Sequence, residues 1–125
     1  MIAHALTSLD KAPRGKFVLL QGAGNFHLVF APLKTHPFHA NIIFTYVQEQ
    51  GRGEALLPEK GFCIIASPGW KILGGGHYEA DAGEKVFVLH GKSTAYGKYA
   101  ADPIRTKTAE ILAGLDLIGW EMRLE

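Results

Sequence analysis

The alternation and clustering of hydrophobic residues predict six or seven strands and two helices. Short apolar runs and alternating segments predict strands at 16–21, 26–30, 62–66, 70–73, 77–79, 86–89 and 118–124. Longer apolar periodicity predicts helices over about 35–50 and over 102–114. Strands with two apolar faces need cover on both sides, which two helices can supply. The predicted fold is therefore α/β, a mixed β-sheet of about six strands sandwiched between two helices.

The region from 72 to 114 contains the clearest structural signals in the chain. Its core is the run Val86-Phe87-Val88-Leu89, which has apolar side chains on both sides of the pleat and is typical of a central strand covered on both faces. Asp102-Pro103 then predicts a helix start with Asp102 as the cap, and Gly114 predicts its end. Before the strand, Gly74-Gly75-Gly76 predicts a sharp bend or a close approach of backbone.

The first helix carries the candidate catalytic residue. Thr35 or His36 can cap this helix, and Pro37 falls in its first turn. His39 then lies at the edge of the apolar stripe, near the positive end of the helix dipole, which disfavours imidazolium. The sequence predicts a histidine that is neutral at pH 7, as a general base must be. A solvent-edge histidine with no role is the alternative.

Two further segments are candidates for binding an anion. Lys16 lies at the end of a buried strand face, where a lysine either snorkels to water or pairs with an anion at the mouth of a pocket. The small side chains of Ser93, Thr94 and Ala95 leave backbone N–H groups free to turn toward an anion if the loop 93–97 curls into a nest. An ordinary strand–loop–helix connection is the alternative for this loop.

Composition and charge narrow the class of protein. The 125 residues fit one domain over 1–125, and 47% hydrophobic and 20% charged residues are ordinary for a globular fold. A net charge of +1 gives no basic stripe for nucleic acid and no polybasic membrane anchor. No stretch has a signal-peptide pattern or a spanning length, so a cytoplasmic location is expected. Cys63, the only cysteine, lies in an apolar run and is predicted to be a buried, inert thiol.

The motifs of the organising region resemble a known family. The run Leu73-Gly74-Gly75-Gly76, the strand 86–89 and the segment His90-Gly91-Lys92-Ser93-Thr94-Ala95-Tyr96-Gly97 are similar, in order and spacing, to the protein histidine phosphatases of the Janus/Ocnus family. Phe38-His39-Ala40-Asn41-Ile42 resembles the stretch around the histidine of that family, and Gly15-Lys16-Phe17-Val18-Leu19 resembles the strand that carries its lysine. The α/β sandwich agrees with the fold that the resemblance implies.

The resemblance implies a function and a set of roles. The chain would hydrolyse phosphohistidine on proteins, or a small phosphoramidate, without a metal or other cofactor. His39 would activate water or receive the phosphoryl group, and Lys16 would neutralise phosphate charge. Ser93, Thr94 and Ala95 would hold the phosphate oxygens. His77 stands after the glycine run, where the animal enzymes have arginine, and would contribute to substrate binding.

This chain also departs from the animal enzymes. The interval from Lys16 to His39 is shorter and lacks their arginine ahead of the histidine, a place that Lys34 or His36 could take. The interval from His39 to Gly74 is longer, with an extra hairpin. Arginine's bidentate fork is not replaced by histidine. The alternative function is therefore a non-catalytic anion- or phosphate-binding regulatory domain of the same fold.

Six histidines also require a metal site to be considered. His36 and His39 are three residues apart and could form half a site on a helix, but no Asp, Glu or Cys stands at partner spacing nearby. No metal is predicted. His4, His27 and His90 lie in or beside predicted strands, where a structural histidine is the default.

Overall fold

The computed structural model of this chain describes residues 1–59 and 62–125, without the side chains of 57–59. Within those residues lie eight strands, three short α-helices and one π-helical turn. The elements are β1 (Ile2–Ala5), β2 (Arg14–Gly22), β3 (Asn25–Ala31), α1 (His39–Phe44), the π-helical turn (Thr45–Glu49), β4 (Ala55–Glu59), β5 (Phe62–Ile65), β6 (Lys71–Asp81), β7 (Val86–His90), α2 (Ala101–Arg105), α3 (Thr108–Gly114) and β8 (Glu121–Leu124).

Six of the strands form one mixed sheet. Their order is β1-β3-β2-β6-β7-β8, with parallel pairs at the two edges and antiparallel pairs between them. Strands β4 and β5 form a separate antiparallel hairpin. The predicted mixed α/β sheet is confirmed. No helix in the described ranges is long and apolar enough to cross a membrane.

The sheet separates two hydrophobic cores, and β2 contributes to both. Phe17 and Leu19 face the core under α2 and α3, whereas Val18 and Leu20 face the core under α1 and the β4–β5 hairpin. Alternate residues of a strand point to opposite faces of the sheet, and both faces are covered here. All four side chains are therefore fully buried. We call the two sides the α1 face and the α3 face. The predicted helical cover on both faces is confirmed.

The prediction that 86–89 forms a two-sided central strand is wrong. β7 is next to the edge strand β8, and its burial alternates: Phe87 and Leu89 are buried, while Val86 and Val88 are only half-buried. The apolar run misleads because half-buried valines satisfy the same pattern as buried ones. The two central strands are β2 and β6.

Helix α1 begins later than the sequence predicts. The backbone N–H groups of Thr35 and His36 donate to the carbonyl of Pro32 and form a turn ahead of the helix. Phe38 is the N-cap residue, and the Asn41 side-chain oxygen accepts a hydrogen bond from its backbone N–H at 3.1 Å. Because the Asn41 amide supplies this bond, the start lies at His39 rather than at Thr35 or His36.

The second predicted helix is divided into two. Helix α2 ends at Arg105 and α3 begins at Thr108, so the predicted span 102–114 is interrupted at Thr106 and Lys107. Asp102 lies in the first turn of α2 and not at its cap, which is Ala100. The predicted end at Gly114 is confirmed.

The glycine run does not end the strand. Gly74, Gly75 and Gly76 lie inside β6, which continues through them with a register shift against β2 between Ile72 and Gly75. The predicted close approach is confirmed, because a Cβ on Gly74 would lie 2.3 Å from the Lys98 carbonyl oxygen and Gly74 has a φ of +98°. The predicted strands 62–66 and 70–73 do not pair with each other: β5 pairs with β4, and residues 71–72 pair with β2. The glycines and proline of 51–61 predict a turn-rich connection, but residues 55–59 form β4, and residues 60–61 lie outside the described residues.

Candidate functional site

A row of basic side chains crosses three strands on the α1 face. Lys16 of β2 is the register partner of His77 of β6, and His77 is the partner of His90 of β7. Cross-strand partners project from the same face of a sheet. The rings of His77 and His90 are stacked, with centroids 5.7 Å apart and planes at 25°. We call Lys16, His77 and His90 the basic row.

His39 lies against this row. It is the first residue of α1, and its ring centroid is 5.9 Å from that of His77 in an edge-on arrangement. Its Nε2 is 2.9 Å from the carbonyl oxygen of Gly76. Because a carbonyl can only accept, Nε2 carries the hydrogen and donates it, which leaves the Nδ1 lone pair available in the neutral ring.

The glycine run makes room for this ring. A Cβ on Gly75 would lie 2.7 Å from Cδ2 of His39 and 2.6 Å from the carbonyl oxygen of Phe17. Real Cβ atoms do not approach other atoms this closely. The absence of a side chain at Gly75 is therefore what allows His39 to lie on the strand.

His39 is neutral at pH 7, as the sequence predicts. Burial lowers its pKa from 6.5 to about 4, and the nearby charges of Lys16 and His77 act in the same direction, against the hydrogen bond to Gly76. The sequence predicts the neutral state from the helix dipole. The larger cause is burial, since charging a ring away from water is unfavourable.

The exposure of His39 differs from the expected one. The sequence places the ring at the edge of the apolar stripe, whereas only 6% of the residue is exposed. Removing the ring would remove this hydrogen bond to the Gly76 carbonyl. A hydrogen bond contributes about 0.5–1.5 kcal/mol, so His39 contributes to stability as well as to any chemistry.

Lys16 fixes the segment that leads into α1. Its Nζ donates to the carbonyl oxygen of Pro37 at 2.8 Å and lies 6.0 Å from the centre of the Phe38 ring. The same ammonium lowers the pKa of His77, after burial as the larger cause. Lys16 therefore holds a cation beside His39 and His77.

The loop 93–97 is closed by its own hydrogen bonds. The N–H groups of Ser93 and Gly97 donate to each other's carbonyl oxygens, and the N–H of Tyr96 donates to the Ser93 hydroxyl at 3.1 Å. Ser93 is buried, so its side chain supports the loop from inside. Thr94 and Ala95 are exposed, and within the described part of the chain their N–H groups have no hydrogen-bond partner.

The loop and His39 meet at the glycine run. The N–H of Gly75 donates to the carbonyl oxygen of Gly97 at 3.1 Å, and the His39 ring packs on the same glycine. The hydroxyl of Tyr96 bonds to the backbone N–H and carbonyl of Cys63, which ties the loop to the β4–β5 hairpin. The structure thus brings Lys16, His39 and His77 together and places loop 93–97 next to them, with the Ser93 side chain turned inward.

Sequence reasoning missed His90 as a member of this site. It was assigned a structural role because it ends a strand, but register with β6 places it beside His77. The equal spacing of His77 and His90 from the turn at 82–85 could have revealed the pairing, since a hairpin aligns residues that are equidistant from its turn.

The other histidines are structural. His27 is buried and uses both nitrogens, Nε2 on the Gly22 carbonyl and Nδ1 on the Tyr46 hydroxyl, each at 2.8 Å. His36 bonds to the hydroxyls of Thr35 and Thr45 and precedes α1, so it does not share a helix with His39. In the described residues no group of three or more His, Cys, Asp or Glu side chains could hold a metal ion.

Cys63 agrees with its prediction. The residue is buried, and burial raises the pKa of its thiol to about 11. A thiol with a raised pKa is protonated at neutral pH and is a poor nucleophile. The chemistry of the site therefore rests on histidine and lysine.

No protein-family model matches this chain, and no curated protein matches it. The resemblance to the protein histidine phosphatases accordingly rests on the motifs and stays a prediction.

Proposed function

We propose that this protein hydrolyses the P–N bond of phosphohistidine on proteins, or of a small phosphoramidate, without a metal. The observation that carries the proposal is His39, a neutral, buried imidazole beside Lys16 and His77. Its Nε2 is fixed on Gly76, and its Nδ1 has no hydrogen-bond partner in the part of the chain that the structure describes. A neutral histidine of fixed orientation is suited to general-base or nucleophilic catalysis. We also propose a cytoplasmic location.

In the proposed reaction, His39 Nδ1 accepts a proton from water while the water oxygen attacks phosphorus. The P–N bond breaks, and its electron pair remains on the leaving nitrogen, which takes up a proton. In the alternative route Nδ1 attacks phosphorus itself, and water then releases the phosphate. General-base help of this kind is worth about 10²–10⁴-fold.

The remaining groups bind the phosphate in this proposal. Lys16 supplies a fixed positive charge, and the free N–H groups of Thr94 and Ala95 supply donors for the phosphate oxygens. Ser93 acts through the loop, because its buried hydroxyl holds the N–H of Tyr96. His77 adds charge only when protonated, and the proximity of Lys16 opposes that protonation.

The second candidate function is a non-catalytic phosphate-binding domain. The small number of permanently cationic side chains at the site favours it. The basic row contains one lysine, and its other two members are histidines. Phosphate dianions usually bind to arginine forks, which the row lacks.

A hydrolysis assay with ammonium phosphoramidate tests the proposal. Phosphate release is measured with and without a chelator. We expect that the chelator does not change the rate of hydrolysis. In the His39→Gln variant the rate should fall by 10²-fold or more. Glutamine is the matched variant because its side-chain N–H₂ can still donate to the Gly76 carbonyl. Phosphate binding by the unmodified protein without any turnover would favour the second candidate.

A further inference from the structure

A cavity of about 720 Å³ opens on the α3 face, on the side of the sheet opposite to His39. Its walls come from the loop between β1 and β2, the end of β6 and the segment that follows α3. Ala80 of β6 belongs to the α3-face core, whereas His39 packs on the α1 face. The cavity is therefore separate from the candidate site, and its volume is in the range of small-molecule sites.

The interior of the cavity is apolar. Leu9, Leu115 and Leu117 line it and are each buried to more than nine-tenths. The half-buried Trp120 adds an indole ring to the wall, and Pro13 completes the apolar lining on the opposite segment. Such a lining favours a ligand with a hydrocarbon or aromatic body.

The charged groups of the lining are all acidic. Asp10 and Asp116 lie at the cavity, on the two segments that face each other across it, and both residues are exposed. Among the described residues that line the cavity there is no lysine or arginine. His4 also lines the cavity, but its ring packs against that of Tyr46 in the α1-face core, with centroids 5.9 Å apart, and so points away from the cavity. The cavity therefore presents negative charge at neutral pH.

We propose that this cavity binds a small organic cation, an amine attached to an apolar body. The apolar body would occupy the space between Leu115, Leu117 and Leu9, and the ammonium group would interact with Asp10 and Asp116. Trp120 is an additional attraction, because the face of an indole ring binds cations. Each part of the lining thus corresponds to one part of the ligand.

Isothermal titration of the unmodified protein with three probes that share a phenylethyl body tests this proposal. The probes are 2-phenylethylamine, the neutral 2-phenylethanol and the anionic 3-phenylpropanoate. We expect the amine to bind with a dissociation constant of about 1 mM or below, the alcohol more weakly and the acid not at all. Quenching of Trp120 fluorescence in a Trp70→Phe background locates the probe.

Two asparagine substitutions test the charges without changing the geometry. Asp10→Asn keeps an oxygen that can accept the Ser8 hydroxyl, which Asp10 binds at 2.6 Å. Asp116 has a φ of +59°, a conformation that asparagine also tolerates. We expect each substitution to weaken amine binding by about two- to fivefold and the double variant by about tenfold. Asp102→Asn, which removes an exposed carboxylate on α2, is the matched control and should change nothing.

Ala82→Phe tests the cavity itself. Ala82 is exposed and lines the cavity, so a larger side chain there should block the probe without disturbing either core.

Equal affinity for the amine and the acid would overturn the proposal. So would unchanged amine binding in the double variant, or the absence of binding by all three probes at millimolar concentration.

Discussion

Two buried histidines on the α1 face show how hydrogen bonding decides what a histidine can do. His27 has both ring nitrogens occupied, and Trp70 stacks on its ring at 5.0 Å. Among the described residues, His39 has a hydrogen-bond partner for Nε2 alone, the Gly76 carbonyl. Since both residues are buried, burial does not distinguish them. The free Nδ1 of His39 is what makes it the candidate for chemistry.

The lowered pKa of His39 predicts a pH-dependent stability. The pKa is 6.5 for an ordinary histidine and about 4 in the folded chain. Between these values the unfolded chain binds more protons, so the free energy of unfolding falls as pH falls and is flat again below the folded pKa. His39 accounts for a loss of roughly 3 kcal/mol at most.

Urea unfolding between pH 7 and 4 measures this effect. Burial also lowers the pKa of His4, His27, His36 and His77, so the wild-type slope has several sources of the same sign. The difference in this slope between the wild type and His39→Gln isolates the contribution of His39. Parallel curves for the two proteins would contradict the assignment of a lowered pKa to His39.

Replacing Lys16 should affect binding more than turnover. Its ammonium would interact with phosphate in both the ground and the transition state, so Lys16→Met should raise KM about tenfold or more and change kcat less. Lys71→Met, an exposed lysine on the same sheet, is the control. A selective fall in kcat would instead mean that the bond from Lys16 to the Pro37 carbonyl positions α1 for catalysis.

Among the elements, β6 contributes most to the site, because Gly75 leaves the space in which the His39 ring lies. Gly75→Ala should displace the His39 ring and the Phe17 carbonyl, destabilising the fold by about 1–3 kcal/mol and reducing any phosphoramidate hydrolysis. Gly83→Ala is the matched control, because its Cβ would meet only an Asp81 oxygen at 3.4 Å. Thermal melts and phosphate release of both variants measure the effect, and equal losses in the two would show that Gly75 has no special part.

Element boundaries show where sequence reasoning succeeds and where it fails. The hairpin of β2 and β3 follows from two apolar runs on either side of the turn at Ala23-Gly24. The strict period of two predicts β8, although the strand begins at Glu121 and not at 118. The start of α1 depends on one hydrogen bond from Phe38 to the Asn41 side chain, and polar residues at 35–36 compete with it in the sequence pattern. The position of β7 depends on strand order, which burial patterns do not encode.

At the scale of the whole molecule, the two cores should unfold together. Strand β2 contributes fully buried side chains to both, so neither core can form without it. Trp70 packs at the α1-face core and Trp120 at the α3-face core. In Trp120→Phe and in Trp70→Phe, the fluorescence and circular dichroism transitions should coincide. Separate transitions in either variant would mean that one core melts first.

The candidate site could be predicted only in part. The positions of Lys16, His39 and His77 came from the resemblance of short motifs, and the structure brings the three together. The inward direction of Ser93 and the membership of His90 depend on loop geometry and strand register. The cavity on the α3 face could not be predicted, because its walls come from three segments far apart in the chain.

The bond between His39 and Gly76 also determines which phosphohistidine isomer could form on His39 in the proposed reaction. With Nε2 held by the carbonyl, only Nδ1 can take a phosphoryl group while the ring keeps its place. A covalent adduct would therefore be the N1 (pros) isomer and not the N3 (tele) isomer. The regiochemistry of a trapped adduct would reveal whether the ring stays on Gly76 during the reaction.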